Sequence, residues 1–162
     1  MSKSNYHKTP PRKSDEDLRR EGVMLIKNAI KARTMSEPLL DSIYSNTAKP
    51  EDFNWACYMM SQAIELALKG LIKYYYESFR EGHFVANNAK IIESLSNKNP
   101  ELREISGTIS DLQTGYSVML CRWSALGRYK ELYVTKKDIQ KADDMLDDII
   151  KFLRRHHYEV DS

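Results

Sequence analysis

Residues 121–130 read Cys-Arg-Trp-Ser-Ala-Leu-Gly-Arg-Tyr-Lys, with two arginines and two aromatics around a glycine. A planar guanidinium holds a phosphate through a two-pronged hydrogen bond, and an aromatic ring offers its face to a base. Arg122, Arg128 and Tyr129 are therefore the first candidates for contacting a nucleotide or RNA, the arginines on phosphate and the tyrosine stacking. The same residues also admit a structural reading, with the arginines paired to acids of neighbouring helices and Trp123 in the core.

Other chemistry finds less support. No glycine-rich phosphate loop, His-Glu-x-x-His, Cys-x-x-Cys or Glu-x-x-His pair occurs, so neither a metal site nor a bound cofactor is expected. Asp143, Asp144, Asp147 and Asp148 stack one turn apart and could hold a hard cation, but such a run is normally a solvated acidic face. The four histidines do not assemble a catalytic triad. One lies in the N-terminal stretch, one is His83, and His156-His157 read as a surface tail. Tyr74, Tyr75 and Tyr76 point three ways on one helix, so part of the run is core and part is surface, with base stacking as the alternative use.

The elements that must position these residues are helical. Over residues 52–80, Phe53, Ala56, Met60, Ala63, Ala67, Leu71 and Tyr74 form one stripe, and Cys57, Ile64, Leu68 and Ile72 form a second beside it. A helix apolar over so much of its circumference is the spine of a bundle, roughly 40 Å long at about 1.5 Å per residue. Before it, Ser14 caps a helix that opens with three acids and carries Leu18, Gly22, Leu25, Ile26 and Ala29 inward. Ser36 and Pro38 suggest the start of a separate short extension with Leu39, Leu40, Ile43 and Tyr44 inside.

After the spine, Glu81-Gly82 suggests a stop, and Asn87 or Asn88 a cap for a short helix with Ile91, Ile92 and Leu95. One long helix is expected through Leu102, Ile105, Ile109, Leu112, Tyr116, Met119 and Leu120 to a break at Gly127. Within it, Gly107 and Gly115 either weaken the helix or permit a close crossing. Thr135 and Asp138 form a capping box for the last helix, whose inner face is Ile139, Ala142, Leu146, Ile149, Ile150 and Leu153. No segment alternates with period two. The expectation is an all-α bundle of about five main helices joined by short turns.

The 162 residues accommodate one domain: a disordered leader over 1–13, a single helical domain over 14–155 and a frayed tail over 156–162. The leader is polar and basic with no apolar segment behind it, unlike a secretory signal, and no stretch has the length of a membrane span. Cys57 and Cys121 sit among apolar helical positions and read as reduced core residues of a cytoplasmic protein. A net charge of +2 does not by itself argue for nucleic acid or a membrane.

Residues 62–71, Gln-Ala-Ile-Glu-Leu-Ala-Leu-Lys-Gly-Leu, resemble the signature helix of HEPN domains, close to Gln-Ala-x-Glu-x-x-Leu-Lys-x-Leu. The likeness continues in order through a preceding helix, a short helix after a turn, a long helix, Arg128-Tyr129 at a break, and Val134-Thr135 with Asp138 leading into the last helix. It covers roughly residues 16–155. This resemblance implies an up-and-down four- or five-helix bundle, usually a homodimer with its groove near the interface. Many relatives are metal-independent ribonucleases with an arginine followed, after about four to six residues, by a histidine. There the histidine is general base on the ribose 2′-hydroxyl and the arginine stabilises the charged transition state.

Here Arg122 is followed at the corresponding positions by Gly127, Arg128 and Tyr129, so that motif is absent. Asn87-Asn88 stands where many relatives carry Thr-His. The expectation is a non-catalytic domain binding a nucleotide, RNA or partner protein through Arg122, Arg128 and Tyr129, with Lys69 and His83 as lesser candidates. Resemblance also implies a minimal nucleotidyltransferase partner in a toxin–antitoxin or defence setting. The alternatives are a divergent ribonuclease using His83 or Tyr129, and a structural dimerisation module whose arginines end in salt bridges.

Overall fold

The Ser14 hydroxyl accepts a hydrogen bond from the Asp17 N–H at 3.1 Å, and Asp15, Glu16 and Asp17 face the positive end of the helix that follows. That helix, α1 (Asp15–Tyr44), belongs to a computed structural model that describes residues 14–75, 85–126 and 134–157. It does not restart at Ser36, as its sequence suggested. Ile26, Ala29, Arg33, Ser36, Leu40 and Ile43 recur every three or four residues, so one inward stripe passes straight through Pro38. The buried Ser36 hydroxyl donates to the Arg33 carbonyl at 2.6 Å instead of capping a new helix. Proline inside a helix costs about 3 kcal/mol. Burial of Leu40 and Ile43 beyond it, each worth about 1.5–3 kcal/mol, offsets that cost.

The turn back is tight. Asn46 takes the left-handed conformation (φ 61°) that asparagine tolerates best among residues with side chains. Pro50 then occupies the first turn of α2 (Pro50–Tyr74), and the Lys49 N–H donates to Asp52 Oδ2 at 2.9 Å. Both expected stripes of α2 are buried, apart from the half-buried Phe53. The helix closes on Tyr75; the expected stop at Glu81-Gly82 lies outside the described residues, as does Tyr76.

α1 and α2 run antiparallel and nearly touch. A Cβ on Gly22 would lie 2.7 Å from both the Gly70 carbonyl oxygen and the Tyr74 nitrogen. A Cβ on Gly70 would lie 2.6 Å from Ile26 Cγ1 and 2.9 Å from the Gly22 oxygen. Only hydrogen side chains allow this backbone approach. The close crossing anticipated at Gly107 or Gly115 is not found there: a Cβ at either would meet nothing within 4 Å.

The third helix, α3 (Val85–Leu95), starts earlier than expected. Asn88 is not its cap but a fully buried residue within it, because Val85, Ala89, Ile92 and Leu95 already form the inward face. The expected long helix is three pieces: a 3-10 helix (Pro100–Ile105), α4 (Ser106–Leu112) and α5 (Gly115–Leu126). At the break, Thr114 Oγ1 donates to the Asp111 carbonyl at 3.1 Å and Ser117 Oγ to the Thr114 carbonyl at 2.7 Å. These hydroxyls compete for backbone groups beside a glycine, and together they interrupt the helix.

Thr135 and Asp138 exchange the capping-box hydrogen bonds at 3.1 and 3.0 Å, starting α6 (Lys136–His156). All six residues of its expected inner face are buried, joined by Met145 and Phe152. Lys136 donates to the Tyr44 carbonyl at 3.0 Å, Asp143 meets Arg33 midway, and His157 reaches Tyr74. α6 therefore runs antiparallel to α1 and parallel to α2. The architecture is the all-α up-and-down bundle expected, and no strand occurs among the described residues.

Candidate functional site

Arg122 stands on the outer side of α5, one turn beyond Val118, which is 66% exposed. On the inner side, Leu120 and Trp123 are buried, so Trp123 is a core residue rather than a stacking surface. The Arg122 guanidinium is exposed and makes no ion pair with a described residue. Several cations elsewhere are matched: Arg33 with Asp143 at 2.7 Å, Lys73 with Glu21 at 2.9 Å, Lys141 with Asp111 at 2.8 Å. Arg128, Tyr129 and His83 lie outside the described residues.

Lys69 sits on α2 with its ammonium 3.2 Å from Glu65 Oε1, and its side chain is only 18% exposed. Within the signature segment, Ala63 and Leu68 are core, Glu65 and Lys69 pair along the helix, and Gln62 and Leu66 are half-buried on the outer side. That outer side also carries Trp55, 49% exposed, with Tyr58 edge-on to it at 6.3 Å. Most of the signature packs the bundle, and only Gln62, Leu66 and Lys69 are half-buried toward its surface.

Two polar clusters were missed by sequence reasoning. Asp143 does not belong to a solvated acidic face. It is buried against Arg33 and accepts from the Tyr44 hydroxyl at 3.2 Å. Burial, then the Asp143 charge, pushes the Tyr44 hydroxyl well above the ordinary phenol range. Asp148 accepts from Thr108 at 2.7 Å. Among the described residues no group of three or more histidine, cysteine or carboxylate side chains could hold a metal ion.

The second cluster joins the ends of α2 and α6. His157 is not part of a surface tail: it is 4% exposed, with its ring centroid 4.1 Å from that of Tyr74 and 5.7 Å from that of Tyr75. The Tyr75 hydroxyl donates to Glu101 Oε1 at 2.9 Å and lies 3.1 Å from His157 Nε2. Burial, then Glu101, raises its pKa. Arg19 covers the other partner, donating to the Tyr74 hydroxyl at 2.5 Å with its guanidinium carbon 4.7 Å from the ring centre. Next door, Glu104 receives Arg155 at 2.8 Å and His156 at 2.7 Å, and the hydrogen bond from His156 holds its carboxyl below the usual range.

A cleft opens between α3 and α4, where the break after Leu112 turns the chain. It encloses about 330 Å³ over an apolar floor of Ile92, Leu102 and Ile109. Gln113 Nε2 crosses its mouth to Glu93 Oε2 at 2.5 Å. A further open space of about 540 Å³ shares Glu93, Ser96 and Gln113 with it and adds Lys90.

A family model described as HEPN domain matches residues 39–157, most of the chain, from the last part of α1 to the buried His157. No curated protein and no solved structure matches.

Proposed function

Because the chain belongs to the HEPN domain family, we propose that it binds a nucleotide or RNA without cleaving it. The observation that carries this reading is Arg122, an exposed guanidinium with no carboxylate partner among the described residues, at the end of the helix where relatives keep their arginine. Such a group is free to fork onto a phosphate, and the following Arg128 and Tyr129 add a second cation and a stacking ring. Gly127, Arg128 and Tyr129 occupy the positions that would supply the general base. Glycine has no base, and arginine and tyrosine stay protonated at neutral pH.

The domain works as a homodimer in this reading. Support comes from the outer side of α2, where Trp55 is half exposed and Tyr58, Met59 and Leu66 are half-buried, large apolar side chains on an otherwise interior helix. The proposed setting is cytoplasmic, beside a minimal nucleotidyltransferase in a toxin–antitoxin or defence pair. No helix among the described residues is long and apolar enough to cross a membrane.

Titration calorimetry with ATP and with a short RNA tests the proposal. Submillimolar binding is expected, weakened about tenfold or more in Arg122→Ala, the scale of a lost charged hydrogen-bond pair. Absence of heat with both ligands overturns it. Labelled RNA incubated in chelator should stay intact; cleavage abolished by Arg122→Ala would make the protein a nuclease instead.

A further inference from the structure

The cleft between α3 and α4 carries chemistry that Arg122 does not explain. Its floor is apolar, while its rim presents a carboxylate and a row of hydroxyls. Ser106 and Ser110 lie one turn apart on α4, both exposed and neither hydrogen-bonded through its hydroxyl to another described residue. Gln113 holds Glu93 by Oε2, which orients the carboxylate and leaves Oε1 open. A carboxylate of fixed orientation accepts two adjacent O–H donors, and acidic side chains recognise the ribose 2′-hydroxyl in this way elsewhere. A sugar ring matches both surfaces, with its C–H face on Ile92, Leu102 and Ile109 and its hydroxyl edge on the rim.

Size and charge narrow the ligand further. At about 330 Å³ the cleft is at the small end of ligand sites, which run from about 300 to 1,000 Å³, so it admits one small molecule rather than an oligonucleotide. Lys90 lines the adjoining open space, exposed and without an ion pair to a described residue. We propose that this cleft binds a small ring carrying a vicinal diol and a phosphate. In this arrangement Glu93 accepts from the diol, Ser106 and Ser110 flank the ring, and Lys90 faces the phosphate at the open end. The site is separate from Arg122 and stands whether or not Arg122 binds RNA.

Chemical-shift titration of the full chain with ribose 5-phosphate, AMP and 2′-deoxy-AMP tests it. Saturable shifts on α3 and α4 are expected with the first two, with binding at least tenfold weaker once the 2′-hydroxyl is removed. Ribose 5-phosphate binding as well as AMP identifies a sugar phosphate as the ligand class, whereas tighter binding of AMP identifies a nucleotide. Glu93→Gln should weaken both ribose ligands about tenfold, and Lys90→Ala should weaken ribose 5-phosphate but not ribose. The proposal is overturned by no saturable shift with either ribose ligand, or by equal binding of 2′-deoxy-AMP. It is equally overturned if AMP binding survives Glu93→Gln but disappears in Arg122→Ala, which assigns the nucleotide to α5.

Discussion

Adding one methyl group to a glycine should have opposite effects at two places in this bundle. At Gly22 the new carbon would stand 2.7 Å from two backbone atoms of α2, the Gly70 oxygen and the Tyr74 nitrogen. Neither can rotate away, so α1 and α2 must separate along a contact that is otherwise close-packed. Overpacking of a core costs about 1–3 kcal/mol, and rigid backbone on both sides puts Gly22→Ala at the upper end. Replacing a helical glycine by alanine returns about 1 kcal/mol of helix propensity, leaving a net loss of about 2 kcal/mol. For a chain of this size each kcal/mol moves the melting temperature by about 2–4 °C, so the midpoint should fall by about 4–8 °C. Gly107→Ala, where the added carbon meets nothing, keeps only the propensity gain and should raise the midpoint by about 2–4 °C. Thermal unfolding followed by helix ellipticity reads both variants. A midpoint for Gly22→Ala equal to or above the wild type would refute the close-contact reasoning.

Two further outcomes follow from buried groups. Asp143→Ala leaves Arg33 with only the longer pairing to Glu37 at 3.6 Å and Tyr44 without its acceptor, and should cost about 1–3 kcal/mol, since the Arg33 and Asp143 side chains retain 23% and 12% exposure. Removing the Arg33 charge as well, in Arg33→Met with Asp143→Ala, should recover part of that loss in urea denaturation; additive losses would show that the pair does not interact. Burial, then the Asp138 charge, pushes the Cys57 thiol up to about 12. An unfolded thiol ionises from about pH 8.5. Between those values the unfolded chain loses the proton first, so Cys57 lowers stability as pH rises, by up to about 1.4 kcal/mol per unit. The urea midpoint should therefore drop less steeply from pH 8.5 to 10 in Cys57→Ala than in the wild type; parallel slopes would contradict the assignment.

Local patterns carried much of the fold. Ser14, and Thr135 with Asp138, announce their helices because a cap is a contact between residues three apart. The stripes of α2 and α6 follow from helical period alone. What escaped needed partners distant in sequence. Ser36 and Pro38 look like a helix start until the inward stripe through Arg33 and Ser36 is seen to be continuous, and both are polar residues that do not advertise burial. The expected long helix kept its apolar spacing across the break after Leu112, so periodicity could not reveal the interruption. Asp143 and His157 looked solvated because the groups that bury them, Arg33, Tyr44, Tyr74 and Tyr75, lie far back in the chain. At the candidate site, the outward position of Arg122 was legible from its offset to Leu120 and Trp123. The cleft was not, since it brings Ile92 and Glu93 of α3 together with Ser106, Ile109 and Ser110 of α4, residues more than a dozen positions apart.

The contact between Tyr75 and His157 also bears on the order in which the bundle assembles. α1 and α2 are joined by five residues, 45–49, whereas Tyr75 and His157 are 82 positions apart. Loop-closure entropy grows as three-halves RT times the logarithm of length, so joining the second pair costs about 2.5 kcal/mol more than closing the hairpin. The hairpin is therefore the cheaper nucleus, and the His157 contact closes late. Contacts that form after the transition state govern the unfolding rate more than the folding rate. On this account the two tyrosines and the histidine act as a latch that sets the lifetime of the folded bundle, while the glycine crossing sets how readily it forms.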